Sequence, residues 1–163
     1  MSFLARTWER VILATERFSP PETAHAHCDI PCGIYNTFPA MMAAETVQKM
    51  VAQLRDLKEP PASDPSARLE YANAVSRRIQ IKEEHASLCK KELLILWTDY
   101  FRPEHLRMFP ELHAKVWSAA KLCSLNKQRV DPSAAKQLLD AVHEIGHMWD
   151  EAEKAKAIPP AKG

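Results

Sequence analysis

Apolar residues recur three or four positions apart through most of the chain, in four segments separated by proline-containing stretches. This spacing lines one face of an α-helix. It predicts helices over about 40–57, 65–100, 103–122 and 131–155. The expected core positions, helix by helix, are Met42, Val47, Met50, Val51 and Leu54; Leu69, Ala72, Val75, Ile79, Leu88, Leu93 and Leu96; Leu106, Phe109, Leu112, Val116 and Trp117; and Ala135, Leu138, Leu139, Val142, Ile145 and Trp149. Four such helices joined by short loops predict an all-α fold, an antiparallel up-down four-helix bundle.

Proline and capping residues mark the predicted helix ends. Ser63-Asp64-Pro65 and Asp131-Pro132-Ser133 are typical helix starts, since the aspartate can cap the first turn and proline is tolerated there. Pro103 ends the second helix because proline cannot donate the next backbone hydrogen bond. Pro110 predicts a kink within the third helix, and residues 124–130 are predicted to form a loop.

Composition narrows the class of protein further. The chain has 163 residues, 46% of them hydrophobic and 26% charged, and a net charge of +1. A balance this close to neutral indicates neither a nucleic-acid partner nor a membrane surface, and no apolar run is long enough to cross a bilayer. Cys89 and Cys123 fall within helical patterns and are predicted to be buried thiols, although the sequence does not forbid a bond between them.

The candidate chemistry lies before the first predicted bundle helix. Residues 25–32 hold two histidines and two cysteines. Thiolates with imidazole suit zinc, copper or nickel, and Pro31 and Gly33 would let a short hook turn both sulfurs toward one ion. Three interpretations remain open on these residues. They could form a catalytic metal site, a non-catalytic metal-binding or redox-sensing site that keeps the segment before it, or a plain disulfide or thiol pair between Cys28 and Cys32. In the second interpretation, a zinc or copper ion would be held by His25, His27, Cys28 and Cys32.

The segment His27-Cys28-Asp29-Ile30-Pro31-Cys32-Gly33-Ile34-Tyr35 resembles the metal hook of nickel-containing superoxide dismutases almost residue for residue. The segments Leu96–Pro103 and Phe109–His113, and the last helix after Asp131, resemble the same family. The resemblance covers about residues 27–155. It implies a four-helix bundle, assembly as a homohexamer, and an enzyme that converts superoxide to O₂ and H₂O₂ by Ni(II)/Ni(III) cycling.

The resemblance also implies a ligand set and a processing step. One nickel ion per subunit would be bound by the α-amine and imidazole of His27, the amide nitrogen and thiolate of Cys28, and the thiolate of Cys32. The amine exists only after cleavage between Ala26 and His27, by a dedicated protease. Two thiolates and an amide donate enough charge to bring trivalent nickel within reach.

Several neighbours of the hook match family positions. Tyr35 and Tyr100 would line the access to the metal. The resemblance implies that these two tyrosines and the thiolates of Cys28 and Cys32 are the catalytic residues. Asp29 would organise the hook, and Pro31 would follow a cis peptide bond.

The chain departs from the family at the pair that holds the axial imidazole. Some members use Glu and Arg there, whereas this chain has Ala43 and His85. Glu45 and His85 are the candidates to take over that role. Asn36 stands where an aspartate is frequent.

The predicted organisation is therefore a cleavable leader over 1–26, a hook over 27–39, the bundle over 40–155 and a flexible tail over 156–163. The leader carries an amphipathic helix over 3–18, expected to dock the protease. A secretory signal is the alternative, but its apolar run is short and is interrupted by Glu16 and Arg17. Reduced thiol chemistry and the poor signal favour a cytoplasmic location.

Overall fold

The computed structural model describes residues 33–157. Helix α1 spans Phe38–Asp56 and α2 spans Pro65–Ile95, which continues directly into a π-helical turn over Leu96–Tyr100. A short helix α3 spans His105–Met108, α4 spans Leu112–Gln128, and α5 spans Pro132–Ala157. All regular structure in this part of the chain is helical. None of these helices is long and apolar enough to span a membrane.

Three predicted segments lie wholly or mostly outside the described residues. They are the leader with its helix over 3–18, the hook as far as Cys32, and the tail beyond Ala157. The first two residues of the predicted tail belong to the last turn of α5.

The four long helices form a bundle in which each packs against two others. Helix α1 lies against α2 and α5, and α4 lies against the same two helices. The core between them is rich in alanine, which lets the helix backbones approach closely, and its larger members include Val47, Leu93, Val116 and Leu138. The predicted four-helix bundle is confirmed.

The predicted helix starts are also confirmed. Asp64 Oδ1 accepts the Ala67 N–H at 2.9 Å, and Asp131 Oδ1 accepts the Ser133 N–H at 2.8 Å. Asn36 Oδ1 accepts the Phe38 N–H at 3.0 Å, so this asparagine supplies an acceptor at the start of α1. These contacts supply acceptors for N–H groups that a helix start otherwise leaves unpaired.

The third predicted helix, over 103–122, is wrong as one element. The chain forms α3, breaks at Phe109-Pro110-Glu111, and restarts as α4. Phe109 has φ −131° and ψ 75°, outside the helical region, because the residue before a proline is pushed away from it.

The predicted loop over 124–130 is also wrong, because α4 continues to Gln128. Asn126 is fully buried, and its Nδ2 donates to the carbonyls of Leu122 at 3.0 Å and Ala134 at 2.9 Å. The Nζ of Lys82 donates to the carbonyls of Asn126 and Lys127. Buried hydrogen bonds to the last turn thus extend the helix beyond its apolar pattern.

Five predicted core residues lie on the surface instead: Met42, Leu69, Ala72, Leu88 and Trp117. On α1 the buried stripe runs through Ala40, Ala43 and Ala44, which displaces Met42 outward. Alanine is only weakly hydrophobic and contributes little to an apolar pattern. The sequence therefore predicted that the larger residues beside these alanines form the buried stripe. Cys89 and Cys123 are buried free thiols, as predicted.

Candidate functional site

Tyr100 is the residue around which the described part of the site is built. It closes the π-helical turn, where the Phe101 N–H bonds to the Leu96 carbonyl at 3.0 Å, five residues back. Pro103 prevents further helix. A π turn inserts an extra residue into the helical register and is common at functional sites. Here both Tyr100 and Phe101 are buried.

Aromatic rings surround Tyr100 on several sides. Tyr35 meets it edge to face, with ring centroids 5.9 Å apart. The His105 imidazole stacks on it at 5.8 Å and an interplanar angle of 12°, and Trp149 lies at 5.9 Å. The structure therefore brings together Tyr35 and Tyr100, the two tyrosines that the sequence suggested for one site.

The hydroxyl of Tyr100 is held by the last helix. It donates to Glu153 Oε1 at 2.6 Å. The Lys156 ammonium donates to the same oxygen at 2.6 Å and lies 4.1 Å from the centroid of the Tyr100 ring. Burial, followed by the hydrogen bond and negative charge of Glu153, raises the pKa of Tyr100 well above its ordinary value. The phenol stays protonated at any physiological pH.

His105 is a neutral partner in this cluster. Its Nδ1 accepts the Arg102 N–H at 3.0 Å, and burial lowers the pKa of the imidazole. A groove of about 480 Å³ opens beside it, with Arg102, His105 and Lys156 in its wall. The indole Nε1 of Trp149 is buried and has no acceptor among residues 33–157, an arrangement that costs free energy and marks this end of the bundle as unusual.

The segment that leads into α1 carries the described residues of the predicted hook, which follow Cys32. Gly33 has φ +72°, a left-handed conformation that side-chain-bearing residues rarely adopt. This conformation is the one that the sequence assigned to Gly33, and a turn between Cys32 and Gly33 stays a prediction because Cys32 lies outside the described residues. Tyr35, three positions beyond Cys32, is half-buried against Tyr100.

The remaining predicted site residues divide into two groups. The cleavage position and the hook residues lie outside the described part of the chain: Ala26, His27, Cys28, Asp29, Pro31 and Cys32. Glu45 is exposed on α1, and His85 Nδ1 contacts the Ile81 carbonyl of its own helix at 2.9 Å. The role of Glu45 and His85 beside the His27 imidazole stays a prediction.

Glu153, Lys156 and Trp149 were not anticipated as site residues. In sequence, Glu153 and Lys156 look like an ordinary i, i+3 surface pair near a helix end. Glu153 lies 53 residues from Tyr100, so no local pattern could join them.

Within residues 33–157, no group of three or more His, Cys, Asp or Glu side chains is arranged to hold a metal ion. The donor set predicted for the hook would fit nickel by its chemistry, since two thiolates, a backbone amide, an imidazole and the amine that cleavage would expose are nitrogen and sulfur ligands of the kind that divalent nickel takes. All of these donors belong to residues 27–32.

By its fold, the described part of the chain belongs to the class of four-helix bundle proteins, here with an aromatic cluster around Tyr100. The family model for nickel-containing superoxide dismutase matches residues 22–153. The nickel superoxide dismutase of Streptomyces seoulensis is 35% identical over 138 residues, which cover 85% of this chain and 96% of the relative. The nickel superoxide dismutase of Streptomyces coelicolor is 33% identical over 138 residues, which again cover 85% of this chain and 96% of the relative.

A crystal structure of a nickel-containing superoxide dismutase, with nickel ligation corresponding to the state after partial X-ray-induced reduction, superposes with a TM-score of 0.67. It is 34% identical and covers 78% of this chain and 99% of that one. The chain belongs to the nickel-containing superoxide dismutase family. It is an oxidoreductase that takes superoxide as substrate and nickel as cofactor.

Proposed function

We propose that the active enzyme forms when the chain is cut between Ala26 and His27, and that His27, Cys28 and Cys32 then hold one nickel ion per subunit. The family match begins at residue 22 and so spans both the cut and the donors, which supports this assignment. Nickel held by these groups supplies the one-electron redox couple that disproportionation of superoxide to O₂ and H₂O₂ requires. Cleavage matters because it turns the His27 amide nitrogen into an amine, a different ligand.

The observation that carries the proposal on the described residues is the edge-to-face contact of Tyr35 and Tyr100, since Tyr35 lies only three positions beyond Cys32. An aromatic pair that includes a residue this close in sequence to the two thiols would exclude larger ligands and order water for a small substrate. The raised pKa of Tyr100 keeps its hydroxyl protonated, so the phenol presents a neutral surface to an approaching anion. Tyr35 and Tyr100 thus act as gate residues.

Asp29 and Pro31 are proposed to shape the hook, the first through hydrogen bonds and the second by directing the chain between the two sulfurs. Glu45 and His85 are proposed to orient the His27 imidazole in place of the family's Glu–Arg pair. Loss of either would then alter the spectrum of the oxidised nickel more than the stability of the bundle. A Glu45→Gln protein with an unaltered spectrum would exclude that role for Glu45.

Assembly as a homohexamer is supported by exposed apolar side chains at the start of α1. Phe38 and Met42 lie four residues apart, about one helical turn, and each is at least 45% exposed. Exposed apolar side chains of this size suit a surface that another subunit covers. We further propose that a dedicated protease removes residues 1–26, and that the enzyme works in the cytoplasm without a nucleic-acid or membrane partner.

The deciding experiment is the intact mass and nickel content of the protein made in its own host with nickel supplied. The expected result is loss of residues 1–26, one nickel per subunit, and dismutase activity that a variant resistant to cleavage lacks. A full-length mass with nickel bound and full activity would overturn the cleavage requirement. A full-length mass with zinc or copper would overturn the ligand set.

A further inference from the structure

We propose that Glu153 is a positioning residue for Tyr100, and that Lys156 holds Glu153 in place, so that the last turns of α5 set the orientation of the gate formed by Tyr35 and Tyr100. This inference rests on the proposed role of the two tyrosines. It adds to that role a specific pair of side chains from a distant part of the sequence.

The first support is geometric. Tyr100 is 4% exposed, and its ring has a fixed environment of Tyr35 at its edge and His105 on its face. These ring contacts leave the direction of the hydroxyl O–H bond undetermined. The 2.6 Å hydrogen bond to Glu153 Oε1 fixes that direction, since a hydrogen bond to a carboxylate is shorter and stronger than one between neutral groups.

The second support is that Glu153 is itself held. Lys156 donates to the same oxygen at 2.6 Å, and its ammonium lies 4.1 Å from the centroid of the Tyr100 ring, within the range of a cation–π contact. Lys156 therefore contacts both partners of the Tyr100–Glu153 bond. An ordinary exposed i, i+3 pair would touch neither a buried ring nor its hydroxyl.

The bond also fixes the direction of the Tyr100 proton. Because the hydroxyl donates to Glu153, its oxygen faces any other neighbour as an acceptor. Water near the gate would therefore donate to Tyr100 rather than accept from it, and the direction of the hydrogen bonds around the gate is set from α5. The negative charge of Glu153 contributes to the raised pKa of Tyr100, which agrees with this arrangement.

The chain offers a matched control on the same helix. Glu151 pairs with Lys154 at 2.7 Å, also at i, i+3, and both side chains are exposed. Glu151→Ala removes an ion pair of the same geometry without touching Tyr100. Glu153→Gln keeps an oxygen acceptor for the Tyr100 hydroxyl and removes only the charge, so it serves as the conservative variant.

The experiment compares Glu153→Ala, Glu153→Gln and Glu151→Ala as processed, nickel-loaded proteins. The hydroxyl environment of Tyr100 is read from the ring-carbon resonance of isotope-labelled tyrosine, assigned with Tyr100→Phe. The dismutation rate is measured by pulse radiolysis. We expect Glu153→Ala to shift the Tyr100 resonance and slow dismutation about two- to tenfold at unchanged nickel content, the factor that the net free energy of one hydrogen bond supports. Glu153→Gln restores most of the rate, and Glu151→Ala changes neither quantity.

The outcomes separate this inference from the function on which it rests. A Tyr100 resonance that is the same in Glu153→Ala and Glu151→Ala overturns the positioning role of Glu153, whatever the rate. A shifted resonance, combined with a Tyr100→Phe protein as fast as the parent, supports the positioning and overturns the role of Tyr100 as a gate. Lys156→Met provides a second variant, expected to shift the same resonance by a smaller amount.

Discussion

Two lysines contact oxygen atoms near the two ends of α5, and they differ in their surroundings. Near the start of α5, Lys82 of α2 is 1% exposed and donates to the carbonyls that end α4. Near the end of α5, Lys156 is exposed to solvent and contacts Glu153 and the ring of Tyr100.

This contrast distinguishes a structural polar group from a functional one. A buried ammonium without a carboxylate partner is costly, and burial lowers the pKa of Lys82. Its retention is explained by the helix end that it caps. The Lys156 ammonium remains hydrated, so it adds little stability, and its contacts with the Tyr100–Glu153 bond indicate an effect on the site instead.

The strongest effect is expected for Cys28 and Cys32 of the hook. They differ from the buried Cys89 and Cys123 in the same way, as functional groups differ from structural ones. Cys28→Ser or Cys32→Ser should abolish nickel binding and dismutase activity, because serine does not supply the thiolate charge that the metal needs. Helix content should be unchanged, since the core of the described bundle is formed by residues 40–152. Nickel analysis and circular dichroism provide the measurements.

Cys89→Ala and Cys123→Ala are the controls for that prediction. Both thiols are buried in the core, and contact with Cys123 together with burial raises the pKa of Cys89, so these sulfurs are packing groups. Each change should cost about 1–2 kcal/mol of stability and leave nickel content intact. Loss of nickel in Cys89→Ala at preserved helix content would contradict this division.

The next effect concerns Lys82. Replacing it with methionine keeps the bulk but leaves the carbonyls of Asn126 and Lys127 without their donor, which should cost about 1–3 kcal/mol. Lys90→Met is the matched control, because Lys90 also spans α2 and α4 but makes one 3.3 Å bond to Ser124. Urea unfolding measures both, and activity should be unaffected.

Alkaline pH gives a second test of Lys82. Since the folded-state pKa of Lys82 is lowered, the unfolded chain binds more protons between that value and the ordinary one, and stability should rise with pH across this window. Lys82→Met should lose this rise. A variant that keeps the full alkaline rise would show that Lys82 does not cause it.

Tyr100→Phe should have a smaller effect on stability than Lys82→Met. The pH dependence of stability that it removes has the opposite sign. The hydroxyl bond to Glu153 contributes about 1 kcal/mol. The folded-state pKa of Tyr100 is raised, so its contribution is present below the ordinary tyrosine pKa and is lost as pH rises from there through the folded-state value. The phenylalanine variant should therefore be less sensitive to alkali than the parent. Tyr71→Phe, a change to a half-buried tyrosine elsewhere on α2, is the control for loss of a phenol hydroxyl.

The parts of this picture that the sequence predicted are local. Asp64 and Asp131 cap helices within three residues of themselves, and the hook motif lies in one unbroken segment. The parts that it missed join distant residues. Lys82 meets Asn126 across 44 positions, and Tyr100 meets Glu153 across 53.

The apolar pattern failed where alanine formed the interface. Met42 and Trp117 were expected inside, yet they are 45% and 64% exposed. Closely packed helices bury their smallest residues, and these are the residues that contribute least to a hydrophobic pattern. The π turn at Tyr100 was likewise missed, because nothing in Leu96–Tyr100 distinguishes a π turn from an α turn before the chain is packed.

The smallest predicted effect lies on the acid side and compares two histidines that each accept an N–H at Nδ1. His105 accepts from the Arg102 backbone at 3.0 Å within the Tyr100 cluster, and His113 accepts from the Trp97 indole at 2.7 Å on the surface. Arg102 and Lys156 oppose a positive charge on His105, and Glu104 and Glu153 favour one, but burial is the largest cause of its lowered pKa.

A lowered folded-state pKa means that the stability due to neutral His105 is present above the ordinary histidine value. It is lost as pH falls from there to the folded-state value. His105→Asn keeps an oxygen acceptor for the Arg102 N–H and cannot titrate, so its stability should be flatter than the parent's across that window. His113→Asn, at a surface histidine that also accepts an N–H at Nδ1, is the control for loss of an imidazole. Equal slopes in the parent and His105→Asn, measured by urea unfolding at closely spaced pH values, would remove His105 as the origin of acid sensitivity at this end of the bundle.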